Sequence, residues 1–145
     1  MKTYLVSACL LGIPCKYSGG SNLCPQVLEL RNHLRMIPIC PEQMGGLPTP
    51  RPAAECQGAF VINREGRDVT AAFQQGARAT LELARLFDCT GAILKARSPS
   101  CGVGEIYDGT FSGAIVPGDG VTAKLLRDAG LTLYTEHSLP DDALR

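Results

Sequence analysis

Apolar residues in this chain fall into short runs of two periods, and each period predicts a different kind of element. Thr3-Tyr4-Leu5-Val6-Ser7 is apolar and partly β-branched and reads as a first buried strand. The chain then turns away through Leu10 to Pro14, and residues 17–22 are a loop by composition. Pro25 suits the first turn of a helix running to about Leu34, with Val27, Leu28, Leu30 and Leu34 on its inner face. Met36 to Ile39 reads as a second strand. Between Gly45 and Pro52, three prolines and two glycines exclude regular structure and predict a fixed, surface-lining loop.

Phe60 to Asn63, followed by Arg64-Glu65-Gly66-Arg67, predicts a small hairpin whose second arm runs into Val69. Thr70 suits the cap of a long helix to about Phe87. Phe73, Gly76, Ala77, Thr80, Ala84 and Phe87 form one stripe on it, and the small Gly76 and Ala77 would let it lie close to a sheet. Ala92 to Leu94 is a third strand, Val121 to Ala129 a last helix ended by Gly130, and Leu131 to Tyr134 a last strand. There is no internal repeat or linker. Strands alternating with helices imply one small α/β domain over residues 1–145, with a mainly parallel sheet, right-handed crossovers and helices packed on it.

Composition narrows the partners. Lys+Arg 14 against Asp+Glu 14 leaves no basic footprint for duplex nucleic acid. No stretch is apolar enough over a sufficient length to span a bilayer. The N-terminal residues lack a signal-peptide layout, which makes a cytoplasmic location the expectation. Seven cysteines in such a chain then read as metal-binding or reactive thiols and not as a disulfide framework.

Three of those cysteines stand where the chain turns out of a strand. Cys9 follows Val6-Ser7-Ala8, Cys40 follows Pro38-Ile39, and Cys101 closes Ser98-Pro99-Ser100-Cys101 after the strand ending at Leu94. Strand carboxyl ends are where α/β proteins place their chemistry, so three thiols converging there suggest one metal centre. Three protein ligands instead of four would leave a coordination position for substrate. A four-iron cube held by three thiolates has this property, and its exposed iron is a Lewis acid for sulfur. Gly12, Gly45, Gly46, Gly102 and Gly104 permit close backbone approach to an anionic cluster. The spacing by itself leaves a plainer reading open, in which the three are small buried hydrophobes.

The remaining candidates are weaker. Glu42, two residues after Cys40, is the carboxylate best placed to shuttle a proton, or else a helix N-terminal charge. Ser98 is held extended by Pro99 and can aim its hydroxyl at substrate; Ser100 can do the same or only hydrogen-bond the turn. Glu55, Arg51 and Lys95 are pocket-shaping or solvated residues. Cys15 and Cys24 flank a loop near Cys9 and offer a spare ligand. Cys56 has no interpretable motif, and Cys89, ending the long helix, reads as core.

Taken together, the segment Val6 to Gly12, the loop Cys40-Pro41-Glu42 to Arg51-Pro52, Glu55, and Lys95 to Gly102 resemble the bacterial thiouracil desulfidases, a family that grew out of the domain DUF523. The resemblance covers nearly the whole chain, with the motifs in the family's order. It implies a [4Fe-4S] cluster bound by Cys9, Cys40 and Cys101, whose free iron takes the sulfur of a thiolated uracil. Glu42 and a serine of the 98–100 turn, Ser98 in preference to Ser100, would assist. The implied reaction is non-redox: thiouracil and water give uracil and hydrogen sulfide. Free base, nucleoside and nucleotide all remain open as substrates.

Three other readings compete. A cluster- or metal-binding accessory domain without turnover is disfavoured by Glu42 beside Cys40. A persulfide sulfur transferase acting through Cys9 or Cys101 lacks a nearby histidine base, since His33 and His137 are the only two. A structural zinc is disfavoured by the absence of a C-x-x-C pair.

Overall fold

The computed structural model describes residues 1–141. Strand β1 (Thr3–Ser7) leads through a 3-10 turn (Ala8–Leu11) to helix α1 (Pro25–Glu29), which tightens into a second 3-10 turn (Leu30–Asn32) before β2 (Arg35–Ile39). A single helical turn, α2 (Pro41–Met44), precedes the strand pair β3 (Ala54–Gln57) and β4 (Phe60–Asn63). Then come the long helix α3 (Thr70–Leu86), β5 (Gly91–Leu94), the short strands β6 (Glu105–Tyr107) and β7 (Ile115–Pro117), α4 (Val121–Asp128) and β8 (Thr132–Thr135). Four strands form a wholly parallel sheet in the order β2-β1-β5-β8.

The sheet is buried on both faces, as crossover helices require. Strand side chains alternate between faces, so Tyr4, Val6 and Ile93 pack with Val27, Leu30 and Leu34 on one side. Leu5, Ala92 and Leu94 pack with Leu81, Ala84, Ala123 and Leu126 of α3 and α4 on the other. Pro38 in β2 has no N–H to give, and β2 lies at the sheet's edge, where that costs no ladder bond.

Several sequence expectations shift. The first helix is α-helical only to Glu29. The predicted hairpin over 60–69 is displaced: β4 pairs backwards with β3 through a two-residue turn at Gly58, and the expected second arm shrinks to one bridge between Ile62 and Asp68. Thr70 does not cap α3. Its N–H instead donates to Asp68 Oδ1 (2.9 Å) while its own hydroxyl accepts from the Val61 N–H (2.8 Å). Phe87 drops out of the buried stripe because the helix ends at Leu86, leaving the ring 47% exposed. Cys89 lies past the helix end, not at it, and is half-buried against the core cluster under α3 and α4, as its core reading expected. Gly76 serves a different neighbour from the one expected: a Cβ there would sit 1.8 Å from the Pro41 carbonyl oxygen, so it admits α2, not the sheet.

Candidate metal centre and active site

Order reverses at β1. The chain leaves β1 for β2 on one side and returns to β5 on the other, and ligands in open α/β sheets bind beyond the strand carboxyl ends at such a point. A cleft of about 410 Å³ lies there, within the range of small-molecule sites. Cys9, Cys40 and Cys101, together with Cys15, line it. Each arrives by a defined local device. Gly12, at φ 93°, ends the 3-10 turn that holds Cys9. Cys40 directly precedes Pro41 at the start of α2. The turn of Cys101 is tied by the Ser98 hydroxyl, which accepts from the N–H groups of Ser100 (3.2 Å) and Cys101 (3.0 Å). The N-terminus of α4 grips the same turn, as the N–H groups of Thr122 and Ala123 both reach the Ser100 carbonyl (2.9 and 3.1 Å).

These thiols are hard to ionise alone. Burial pushes Cys101 up to about 12, against hydrogen bonds from Ser7 and Ser100 that act the other way. Burial also pushes Cys15 up to about 12, helped by neighbouring Cys40 and Cys9. Cys9 is raised chiefly by burial, with the Asn22 hydrogen bond and the Lys95 charge opposing. A set of packed, buried thiols becomes a set of thiolates only when cations share the space, and iron meets that need. Among the described residues no group of three or more His, Cys, Asp or Glu side chains is arranged to hold a single metal ion. One tetrahedral ion needs every sulfur at about 2.3 Å from one point. A four-iron cube takes each thiolate on a different iron. Soft thiols gathered along one cleft are the donor set such a cluster uses.

Next to the thiols lies a polar relay. Glu42, in the only turn of α2, accepts from Arg51 Nε on one carboxylate oxygen (3.0 Å) and from the Ser100 hydroxyl on the other (2.9 Å). Arg51 is 4% exposed in its side chain and also donates to the Cys15 carbonyl (3.0 Å) and the Thr49 hydroxyl (2.9 Å), fastening the proline-rich loop to the site. Ser100 stands 3.7 Å from Cys101 Sγ. It is Ser100, then, that touches Glu42, while Ser98 is occupied with the turn's backbone and with Ser100 Oγ at 3.0 Å. Lys95 lines the cleft and pairs with Glu136 beyond β8 (3.1 Å). Glu55 is buried and accepts the N–H groups of Gly109 and Phe111.

The structure therefore brings together Cys9, Cys40, Cys101, Glu42, Ser98, Ser100, Arg51, Glu55 and Lys95. It leaves Cys24 outside with Gln26 (3.4 Å) and Cys89 remote. Cys56 lies behind the wall at 3.6 Å from the Pro99 carbonyl, pushed up to about 11 by burial and then by Glu42 and Glu55. Sequence reasoning missed Asn22, Glu136, Arg64 and Phe111. Glu136 was detectable in principle, as the residue just past the last parallel strand.

Fold and site together define a class: a small doubly covered α/β protein with a cleft lined by four thiols at its switch point. The chain belongs to the 2-thiouracil desulfurase family, whose model matches residues 4–138. It is 41% identical to the uncharacterized protein YbbK of Bacillus subtilis (strain 168), over 94% of this chain and 97% of that protein. A solved structure, the [4Fe-4S]-dependent thiouracil desulfidase TudS (DUF523Vcz), is 44% identical and superposes with a TM-score of 0.91, covering 99% of this chain and 97% of the other. The described residues contain no helix long and apolar enough to cross a membrane.

Proposed function

We infer that this chain is a [4Fe-4S]-dependent thiouracil desulfidase that releases hydrogen sulfide from a thiolated uracil, a small-molecule partner, in the cytoplasm. Cys9, Cys40 and Cys101 are the residues that hold the cluster. When bound, the cluster supplies one iron without a protein ligand, a Lewis acid for the substrate's sulfur. The chain's own residues manage water and protons. Glu42 takes a proton from the water that attacks the ring carbon bearing sulfur, with Arg51 keeping the carboxylate oriented. As the new carbonyl forms, the C–S bond breaks. Ser100, hydrogen-bonded to Glu42, returns the proton toward the departing sulfur. The second proton of the water, left on the new hydroxyl, passes through the same Glu42–Ser100 pair as the carbonyl forms. Both protons thus leave with the sulfide, no electrons are exchanged, and the products are uracil and hydrogen sulfide.

One observation carries this reading: the Ser100 hydroxyl lies 2.9 Å from Glu42 and 3.7 Å from Cys101 Sγ, so an acid–base pair adjoins a thiol ligand. The experiment is sulfide release from 2-thiouracil by anaerobically purified, iron-loaded protein, with no reductant added during turnover. Sustained release is expected. A requirement for one equivalent of reductant per cycle would replace hydrolysis by reductive desulfuration.

A further inference from the structure

One wall of the cleft comes from the β6–β7 hairpin, which contributes Tyr107, Phe111 and Gly113. Phe111 sits at φ 57°, in the left-handed region that bulky residues seldom occupy. Its conformation is imposed from below. Buried Glu55 spends one carboxylate oxygen on the N–H groups of Gly109 (3.0 Å) and Phe111 (3.1 Å). Gly109 lies so close to β3 that a Cβ there would meet the Cys56 carbonyl oxygen at 2.7 Å. The ring is also held from one face, where the Arg64 guanidinium lies 5.2 Å from its centroid. Strain maintained by a buried carboxylate at a cleft wall points to a use for the side chain so held.

We propose that Phe111 is a specificity-determining residue, its ring being the surface on which the flat thiopyrimidine ring stacks, with Arg64, which lines the same cleft, steadying the ring. This rests on the thiouracil reading above. Stacking asks only for a conjugated, planar partner, so it selects a thiolated base over an open-chain thioamide without hydrogen-bonding any ring substituent. Of the two other aromatics that line the cleft, Tyr17 is 49% exposed on a loop and Tyr107 lies in β6, and neither sits at a positive φ.

Iron-loaded Phe111→Ala and Phe111→Leu proteins should show KM for 2-thiouracil raised about 10–100-fold, with kcat within a few-fold and iron content unchanged. The Leu variant keeps apolar volume and so separates lost stacking from a collapsed loop. The chain has no tryptophan, so Phe111→Trp installs a sole indole at the proposed stacking surface. Its fluorescence should be quenched saturably by uracil, a readout independent of turnover. Unchanged KM in both the Ala and Leu variants, an unquenched indole, or a KM effect found instead in Tyr17→Ala or Tyr107→Ala overturns the proposal. If wild-type protein releases no sulfide, the functional reading fails; the indole still reports whether a pyrimidine stacks there, so the two failures are distinct.

Discussion

Glu42 is engaged on both carboxylate oxygens, by Arg51 and by Ser100, and this double hold makes separable predictions for neighbouring residues. Glu42→Gln and Ser100→Ala should keep iron and visible absorption yet lose desulfuration by about 10²–10⁴-fold, the usual contribution of a positioned acid–base group. Sulfide release normalised to iron is the measurement; near-normal rates in both would move the role elsewhere. Ser98→Ala should behave differently. Its hydroxyl ties the N–H groups of Ser100 and Cys101, so its loss should lower iron content along with activity. Replacing Cys9, Cys40 or Cys101 by Ser should strip or degrade the cluster, since on the proposed ligation each supplies one of its three protein bonds. The same change at Cys24 or Cys89, both outside the cleft, should leave iron content intact. Iron loss in the Cys24 or Cys89 variant, with iron retained in one of the three, would reassign the ligands.

At the scale of elements, α2 owes its place to two glycines. A Cβ on Gly76 would lie 1.8 Å from the Pro41 carbonyl oxygen, and one on Gly45 would lie 2.0 Å from that of Ala72. The backbones of α2 and α3 are thus in direct contact, and Glu42 rides on the smaller of the two. Gly76→Ala should therefore push α2 outward, lowering stability by about 1–3 kcal/mol through overpacking. Because α2 carries Glu42 and follows Cys40, activity per iron should fall as well. A variant with lowered melting temperature but unchanged turnover would show that the site does not depend on this contact. The same elements explain what was legible in the sequence. Runs such as Tyr4 to Val6 and Ala92 to Leu94 are buried on both faces and announce themselves as strands. Cys9 and Cys40 could be placed at the cleft because they follow β1 and β2 closely, whereas Cys101 reaches it only through the loop after β5. By contrast β6 and β7 have three residues each, too few to display a period, and β3 emerges directly from a proline-rich stretch. Which serine meets Glu42 was also beyond reading: Ser98 and Ser100 share a tight turn whose direction is set by α4, a helix well further along the chain.

Across the whole molecule, stability and chemistry occupy different parts of the sheet. Its two faces are filled by separate apolar clusters, one under α1 and one under α3 and α4, while the thiols gather at the carboxyl edge. This differs from small zinc domains, in which the metal itself stands in for a core. Iron-free protein should accordingly keep its far-ultraviolet circular dichroism. It should also carry a pH signature. Burial holds Cys101 and Cys15 near 12, while an unfolded chain releases thiol protons from about 8.5 upward. Below that value both states are protonated and these thiols contribute no pH dependence. Between about 8.5 and 12 the native state binds more protons than the unfolded one, so stability falls as pH rises. The slope should be on the order of 1 kcal/mol per pH unit for each such buried thiol. Urea midpoints of iron-free protein should therefore drop steadily from about pH 8.5 to about pH 10.5, and Cys101→Ala should flatten the slope. Iron-loaded protein, with its ligand thiols already deprotonated on the metal, should show a shallower dependence over the same range. A flat profile in the iron-free protein would mean that the thiols ionise freely in the native state, and that the cleft is open enough to solvate them before any metal arrives.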